Sequence, residues 1–182
     1  MITLIIGTNR KDNRTALFAR DYLDILAELG ETSVKMLDLS RIPHDWFHPE
    51  MYHEPGPSLK AIQDEYIIPA SRFIILAPEY NGSIPGVLKL FLDACSVREY
   101  EASFKGKQAL LTGIASGRAG NLLGMDHLNA VLQHLGMHVS PEKLPISSIS
   151  SLRDKNDKLI HEETREVIRR QLSAFLGVAK PA

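Results

Sequence analysis

Cysteine occurs once in 182 residues, as Cys95, so the chain cannot close an internal disulfide and its stability must come from a buried core. That usage fits a reducing compartment, and a cytoplasmic location is expected. Long apolar runs are scarce as well. None approaches the roughly 20 residues of a membrane-spanning helix. The apolar stretch 2–6 is short and lacks the basic start and small-residue cleavage site of a secretory leader, so it reads as a strand. No excess of charge of one sign exists: the net charge is -1, which gives no general attraction to nucleic acid or to an anionic membrane surface. Repeats and low-complexity tracts are missing. So are the GxxxxGK[ST] and GxGxxG phosphate-binding patterns. No Ser-His-Asp or paired-carboxylate arrangement stands out from spacing. What remains is ordinary globular composition: 44% hydrophobic residues suffice for the core of a single domain spanning 1–182.

Strand-like and helix-like patterns alternate along the chain. Residues 2–6 are continuously apolar, as in a strand covered on both faces. Over 13–29, Ala16, Ala19, Leu23 and Leu26 recur at helical spacing, with Gly30 as the stop. Further strands are expected at 33–37, 73–77, 108–114 and 137–140, the last extended by 144–146. Helices are expected at 59–69, 86–97, 121–135 and 162–176. The proline-rich stretch 40–57 has no period and reads as a long loop. Alternating strands and helices predict an α/β fold with a parallel sheet covered on both faces. Ligands of such sheets bind beyond the carboxyl ends of the strands. That rule singles out the polar loops after the first, third and fourth strands.

The first loop, GTNRKDNRT at 7–15, precedes a helix, whose N-terminus offers unpaired N–H groups and a positive dipole end. Thr8, Asn13 and Thr15 add side-chain donors, and Arg10 adds a fork for phosphate oxygens. Arg14 is a second guanidinium in the same loop. A terminal phosphate is the ligand these groups suit, although Asp12, Asn13 and Thr15 are also ordinary cap residues.

Gly7-Thr8-x-Arg10-x-x-Asn13-x-Thr15 resembles the GSxRxxSxN-type loop of the NADPH-dependent FMN reductase family. The resemblance implies a flavodoxin-like three-layer sandwich with five parallel strands in the order 2-1-3-4-5, and an FMN phosphate held by this loop. Thr8, Asn13 and Thr15 stand where the family has serine, serine and asparagine. Each keeps a hydrogen-bonding group. The stretch PEYNGSIPGVLKLFLD at 78–93 is similar to the family's P-x-Y-N-x-[SG]-x-P-G-x-L-K-N-x-[IL]-D signature, with Leu90 replacing asparagine and Ala94 standing where tryptophan often follows. In the family this segment lies against the isoalloxazine ring, which assigns Pro78, Glu79, Tyr80, Asn81, Gly82 and Ser83 to the cofactor. A flat amphipathic ring wants such a wall and a few directed donors. Asn81-Gly82 is also a good turn dipeptide. The third loop, ASGRAGN at 115–121, resembles the family's S-x-G-x-x-G-G. Ser116, Gly117 and Gly120 match, and Asn121 replaces the last glycine. Arg118 either meets a phosphate of the nicotinamide donor or is a solvated surface charge.

What the resemblance implies is an FMN-dependent oxidoreductase. It would take hydride from NADPH or NADH and pass electrons to a quinone, a free flavin, an azo compound or a metal oxyanion. The flavin would carry the chemistry, so no catalytic side chain is assigned. A non-enzymatic FMN-binding electron carrier or redox sensor on the same fold is the alternative. Flavodoxin carriers are strongly acidic, and this chain is not. Family members are commonly dimers or tetramers, so a homo-oligomer is expected. His44, His48 and His53 share the 40–57 loop with Asp45, Glu50 and Glu54, but their spacing matches no compact zinc pattern, and no metal is assigned. The aromatics Trp46, Phe47 and Tyr52 of that loop suggest a lid or a subunit contact. Cys95 reads as inert packing.

Overall fold

Covered on both faces and rich in β-branched and leucine side chains, Ile2–Ile6 forms β1, the second strand in space of a parallel sheet. The computed structural model describes residues 1–177. Around β1 lie β2 (Val34–Asp38) and β3 (Arg72–Pro78), with Ile6 facing Asp38 on one side and Leu76 on the other. Next comes β4 (Gln108–Ile114), in register Leu76 to Thr112. The order is β2-β1-β3-β4-β5, the flavodoxin-like order, and every pairing is parallel.

The fifth position is shared. β5 (His138–Val139) pairs with the start of β4, and β6 (Leu144–Ile146) pairs with its end. Residues 140–143 interrupt the edge. Pro141 and Pro145 lack the N–H a ladder needs, and an edge is where a sheet tolerates them.

Successive residues of the central strands point to opposite faces, which gives two cores. Leu4, Ile6, Ile74 and Leu76 pack with Phe18, Tyr22 and Ile25 of α1 (Thr15–Glu28) and with Ile168 and Leu172 of α6 (Glu162–Leu176). Ile5, Phe73, Ile75 and Leu111 pack on the other face. Their partners there belong to α2 (Pro57–Ile62), α3 (Gly86–Cys95), α4 (Tyr100–Phe104) and α5 (Leu122–His134). Each such buried side chain contributes about 1.5 to 3 kcal/mol of transfer free energy. Inside the first core the Tyr22 hydroxyl donates to Gln171 Oε1 at 2.8 Å and lies 2.7 Å from Thr112 Oγ1, locking α1, β4 and α6 together. Burial pushes the Tyr22 phenol far above its ordinary value.

Two stretches carry detail that the sequence pattern did not show. The helix expected over 59–69 begins at Pro57 and widens after Ile62 into a π-turn at Gln63–Ile67. The buried Gln63 amide there donates to Cys95 O at 2.9 Å and to Ser103 Oγ at 2.7 Å. The 40–57 loop is pinned to its own chain. Trp46 is buried edge-on against Phe91 of α3, with ring centroids 6.0 Å apart, and Met51 is buried beside it. Only Phe47 and Tyr52 of its aromatics face outward. Cys95 is fully buried, and desolvation drives its thiol far above the ordinary value, as inert packing requires.

Candidate functional site

The parallel register brings the carboxyl ends of β1, β3 and β4 to one edge of the sheet, and the three polar loops leave from there. They enclose a cleft of about 620 Å³, within the usual range for small-molecule sites. From the first loop its walls take Arg10, Asn13, Arg14 and Thr15. The second gives Pro78, Glu79 and Tyr80, and the third gives Ser116 and Gly117.

In the first loop, Asn13 Oδ1 caps α1 by accepting the Ala16 N–H at 2.9 Å, and Asn13 Nδ2 donates to Arg10 O at 3.0 Å. This holds the loop closed on itself. Among the described residues the N–H groups of Asn13, Arg14 and Thr15 have no protein acceptor. Among the described residues neither Arg10 nor Arg14 is in an ion pair. Three open N–H groups, a helix N-terminus and two guanidinium groups make an anion site. Thr8 does not reach the wall. It is fully buried, with its hydroxyl 3.0 Å from Tyr80 Oη.

The second loop is a two-residue hairpin. Tyr80 and Ser83 exchange both backbone hydrogen bonds, at 2.9 and 3.1 Å. Asn81 and Gly82 between them both have positive φ, 52° and 74°, the conformation this dipeptide accepts best. The Glu79 N–H is taken by Ile114 O and the Tyr80 N–H by Ser83 O, so among the described residues only Asn81 and Gly82 within 79–83 keep open N–H groups. Asn81, Gly82 and Ser83 stand at the hairpin tip, outside the cleft wall. Ser83 Oγ lies 2.9 Å from Nδ1 of His127 on α5.

In the third loop the N–H groups of Ser116 and Gly117 are likewise open among the described residues. Gly120 (φ 58°) lies beneath Pro145, where an added Cβ would sit 2.6 Å from that ring. It shapes the loop from behind the wall. Arg118 is exposed and also outside the wall.

Two contributors carry no motif, and a third departs from one. Ile149 and Ser150 close the cleft from a single 3₁₀ turn, Ile149–Ser151, tied to the third loop by Ser148 N–H to Gly117 O at 3.1 Å. Ser150 Oγ accepts from Arg14 Nη1 at 2.6 Å, which draws that side chain across the mouth. Asn121, the buried residue in place of the third loop's last glycine, donates from Nδ2 to Ala77 O at 3.0 Å and Pro78 O at 3.1 Å. It staples the third loop to the second. The departure from glycine was visible in the sequence; the acceptors were not.

The anion site at one end and the open N–H groups of the third loop, beside the Pro78–Tyr80 wall, suit a phosphate-bearing flat ring such as FMN. The chain is 33% identical over 144 residues to an NAD(P)H-dependent FMN reductase of Pseudomonas aeruginosa, covering 79% of this chain and 76% of that one. It is 26% identical over 171 residues to a 2-hydroxy-1,4-benzoquinone reductase of a Burkholderia species, covering 92% and 90%. Its fold superposes on the flavoenzyme NAD(P)H:(acceptor) oxidoreductase FerB of Paracoccus denitrificans with a TM-score of 0.79 and 22% identity, over 97% of this chain and 94% of that one. Residues 1–150 match the sequence profile of one family of oxidoreductases that use FMN and NAD(P)H: the chain belongs to the NADPH-dependent FMN reductase family.

Proposed function

We propose that this chain binds FMN in the cleft, takes hydride from NADPH or NADH, and delivers electrons to a quinone-class acceptor. Free flavins, azo compounds and metal oxyanions would be slower substrates. The observation that carries this reading is the convergence of the three loops on one cleft with an anion site at one end. Arg10, Arg14, Thr15 and the open N–H groups of residues 13–15 would hold the phosphate. Pro78, Glu79 and Tyr80 would wall the ring. The N–H groups of Ser116 and Gly117 would face it and stabilise negative charge on its pyrimidine end. Bound FMN supplies two-electron acceptance and donation, and the protein supplies binding, orientation and electrostatics.

The choice of quinone draws on the relatives, whose names include the benzoquinone reductase above and a quinone reductase of Pseudomonas putida. Physically, the flavin would carry the electrons, so such an acceptor would need chiefly access to the ring from the cleft. We place the protein in the cytoplasm, where its nicotinamide donor is regenerated. We also propose a homodimer or homotetramer. Leu122 and Leu123 at the start of α5 are 52% and 57% exposed, and Phe47 and Tyr52 of the 40–57 loop are exposed as well. Solvent-facing apolar side chains of that size suit a subunit contact.

The test is steady-state NAD(P)H oxidation by the FMN-loaded protein with a benzoquinone, riboflavin, an azo dye and chromate. The expected result is the highest kcat/KM for the quinone. Equal or better turnover of any other acceptor would overturn the assignment of substrate class.

A further inference from the structure

Thr8 and Tyr80 belong to different loops, yet their hydroxyls lie 3.0 Å apart. Thr8 Oγ1 also accepts the backbone N–H of Arg10, at 3.2 Å. Thr8 is fully buried, so water cannot stand in for either partner. A threonine hydroxyl has one proton and two lone pairs. One lone pair takes the Arg10 N–H, and the Tyr80 phenol provides the second partner. The chain Arg10 N–H, Thr8 Oγ1, Tyr80 Oη therefore runs from the backbone of the anion site to the side chain that walls the cleft.

The backbone at Gly7–Thr8 and at Tyr80 is held in place. The Thr8 N–H bonds Ile6 O at 3.0 Å, and Gly7 N–H bonds Leu76 O at 2.9 Å, which holds this turn to β3. An added Cβ on Gly7 would sit 2.8 Å from a Leu88 methyl and 3.1 Å from Leu76 O, so the turn lies close against its neighbours. Tyr80 is fixed by its two backbone bonds to Ser83. Between these supports, the Arg10 segment and the Tyr80 ring are the parts left to adjust, and the Thr8 hydroxyl links them. A state that breaks the link leaves a buried hydroxyl short of a partner, which is disfavoured.

We infer that Thr8 and Tyr80 are a positioning pair: a dianion bound at the first loop orders the Arg10 backbone, and through the two hydroxyls sets the Tyr80 wall for a flat ring. Phosphate binding and ring binding are then coupled, and the coupling is reciprocal. Thr8 acts from behind the wall and touches no ligand. This role rests on the FMN reading above and goes beyond it, because a loop that merely contacts phosphate and a hairpin that merely contacts a ring need not communicate.

Riboflavin and inorganic phosphate together present the two halves of FMN unlinked, so they expose the coupling. Riboflavin affinity is measured by flavin fluorescence quenching, with and without phosphate, at ionic strength matched by chloride. In the unmodified protein and in Thr8→Ser, phosphate should tighten riboflavin binding on the order of 5-fold. In Tyr80→Phe and Thr8→Val the tightening should vanish, while phosphate still competes with FMN. Should Thr8→Val fail to fold, Tyr80→Phe, which removes one oxygen, carries the test. Phosphate tightening that persists in Tyr80→Phe, or is missing from the unmodified protein, overturns the coupling while leaving the FMN reading intact. Quenching by neither FMN nor riboflavin overturns both.

Discussion

Arg10 and Thr15 meet the cleft in different ways. Arg10 is exposed and unpaired among the described residues, and Thr15, the first residue of α1, is 2% exposed but still lines the wall. Arg10→Ala and Thr15→Ala should each weaken FMN binding by about 1 to 3 kcal/mol, if each makes a charge-assisted bond to phosphate. Isothermal titration reads this directly, and unchanged affinity in both would move the phosphate elsewhere. Asn121 gives a second expectation. Asn121→Ala removes the donor to Ala77 O and Pro78 O, leaves buried carbonyls bare, and should cost about 1 to 3 kcal/mol of stability in urea denaturation. Gly124 permits this arrangement, since a Cβ there would lie 2.1 Å from Asn121 Oδ1. At this scale the sequence disclosed residue types and which loop each belongs to. Thr8 reads from its loop as another phosphate donor, and the structure adds a partner for its hydroxyl in Tyr80, seventy-two positions away. Spacing along the chain holds no information about a partner at that separation.

Elements with strong patterns were legible. β1 and β4 have the bounds their apolar runs predict, and α6 spans Glu162–Leu176, as its period requires. Elements too short for a period were not. The five-residue α4 (Tyr100–Phe104) and the 3₁₀ turn at Ile149–Ser151 exist because tertiary contacts fix them, and the second supplies part of the cleft. The 40–57 loop shows the same limit: its aromatics suggested a lid or a subunit contact, and composition did not show that Trp46 is core while Phe47 and Tyr52 are exposed. α1 and α6 also meet at their surfaces, where Glu28 pairs with both Arg165 and Arg169. The Arg169 hydrogen bond, with further help from Arg165, holds the Glu28 carboxyl below its ordinary 4.5. The native state therefore binds fewer protons here than the unfolded chain, and stability rises with pH across this range. The contribution is present above 4.5 and is lost as pH falls through the lower native value. Glu28 is solvent-facing, so the effect is small. Thermal melts between about pH 6 and about pH 3 should show a shallower acid loss in Glu28→Gln than in the unmodified protein. Identical slopes would mean the pairs contribute nothing.

At the scale of the molecule, residues 1–177 form an α/β sandwich whose parallel sheet brings three polar loops to one edge. Its chemistry was legible from the family resemblance because those loops are short and carry their donors within seven to sixteen consecutive residues. Assembly was less so. If Leu122 and Leu123 are covered by a second copy, Leu123→Glu should shift the sedimentation of the protein toward monomer while FMN affinity stays within about twofold, because that side chain is not part of the cleft wall. An unchanged sedimentation coefficient would place the contact elsewhere. The most direct measurement is stopped-flow absorbance of the purified protein mixed with FMN and then with NADPH or NADH under anaerobic conditions. The expected result is saturable FMN binding followed by rapid bleaching of the flavin band by at least one of the two donors. FMN that fails to bind, or that binds and is bleached by neither, would contradict the assignment of this cleft to hydride transfer from a nicotinamide.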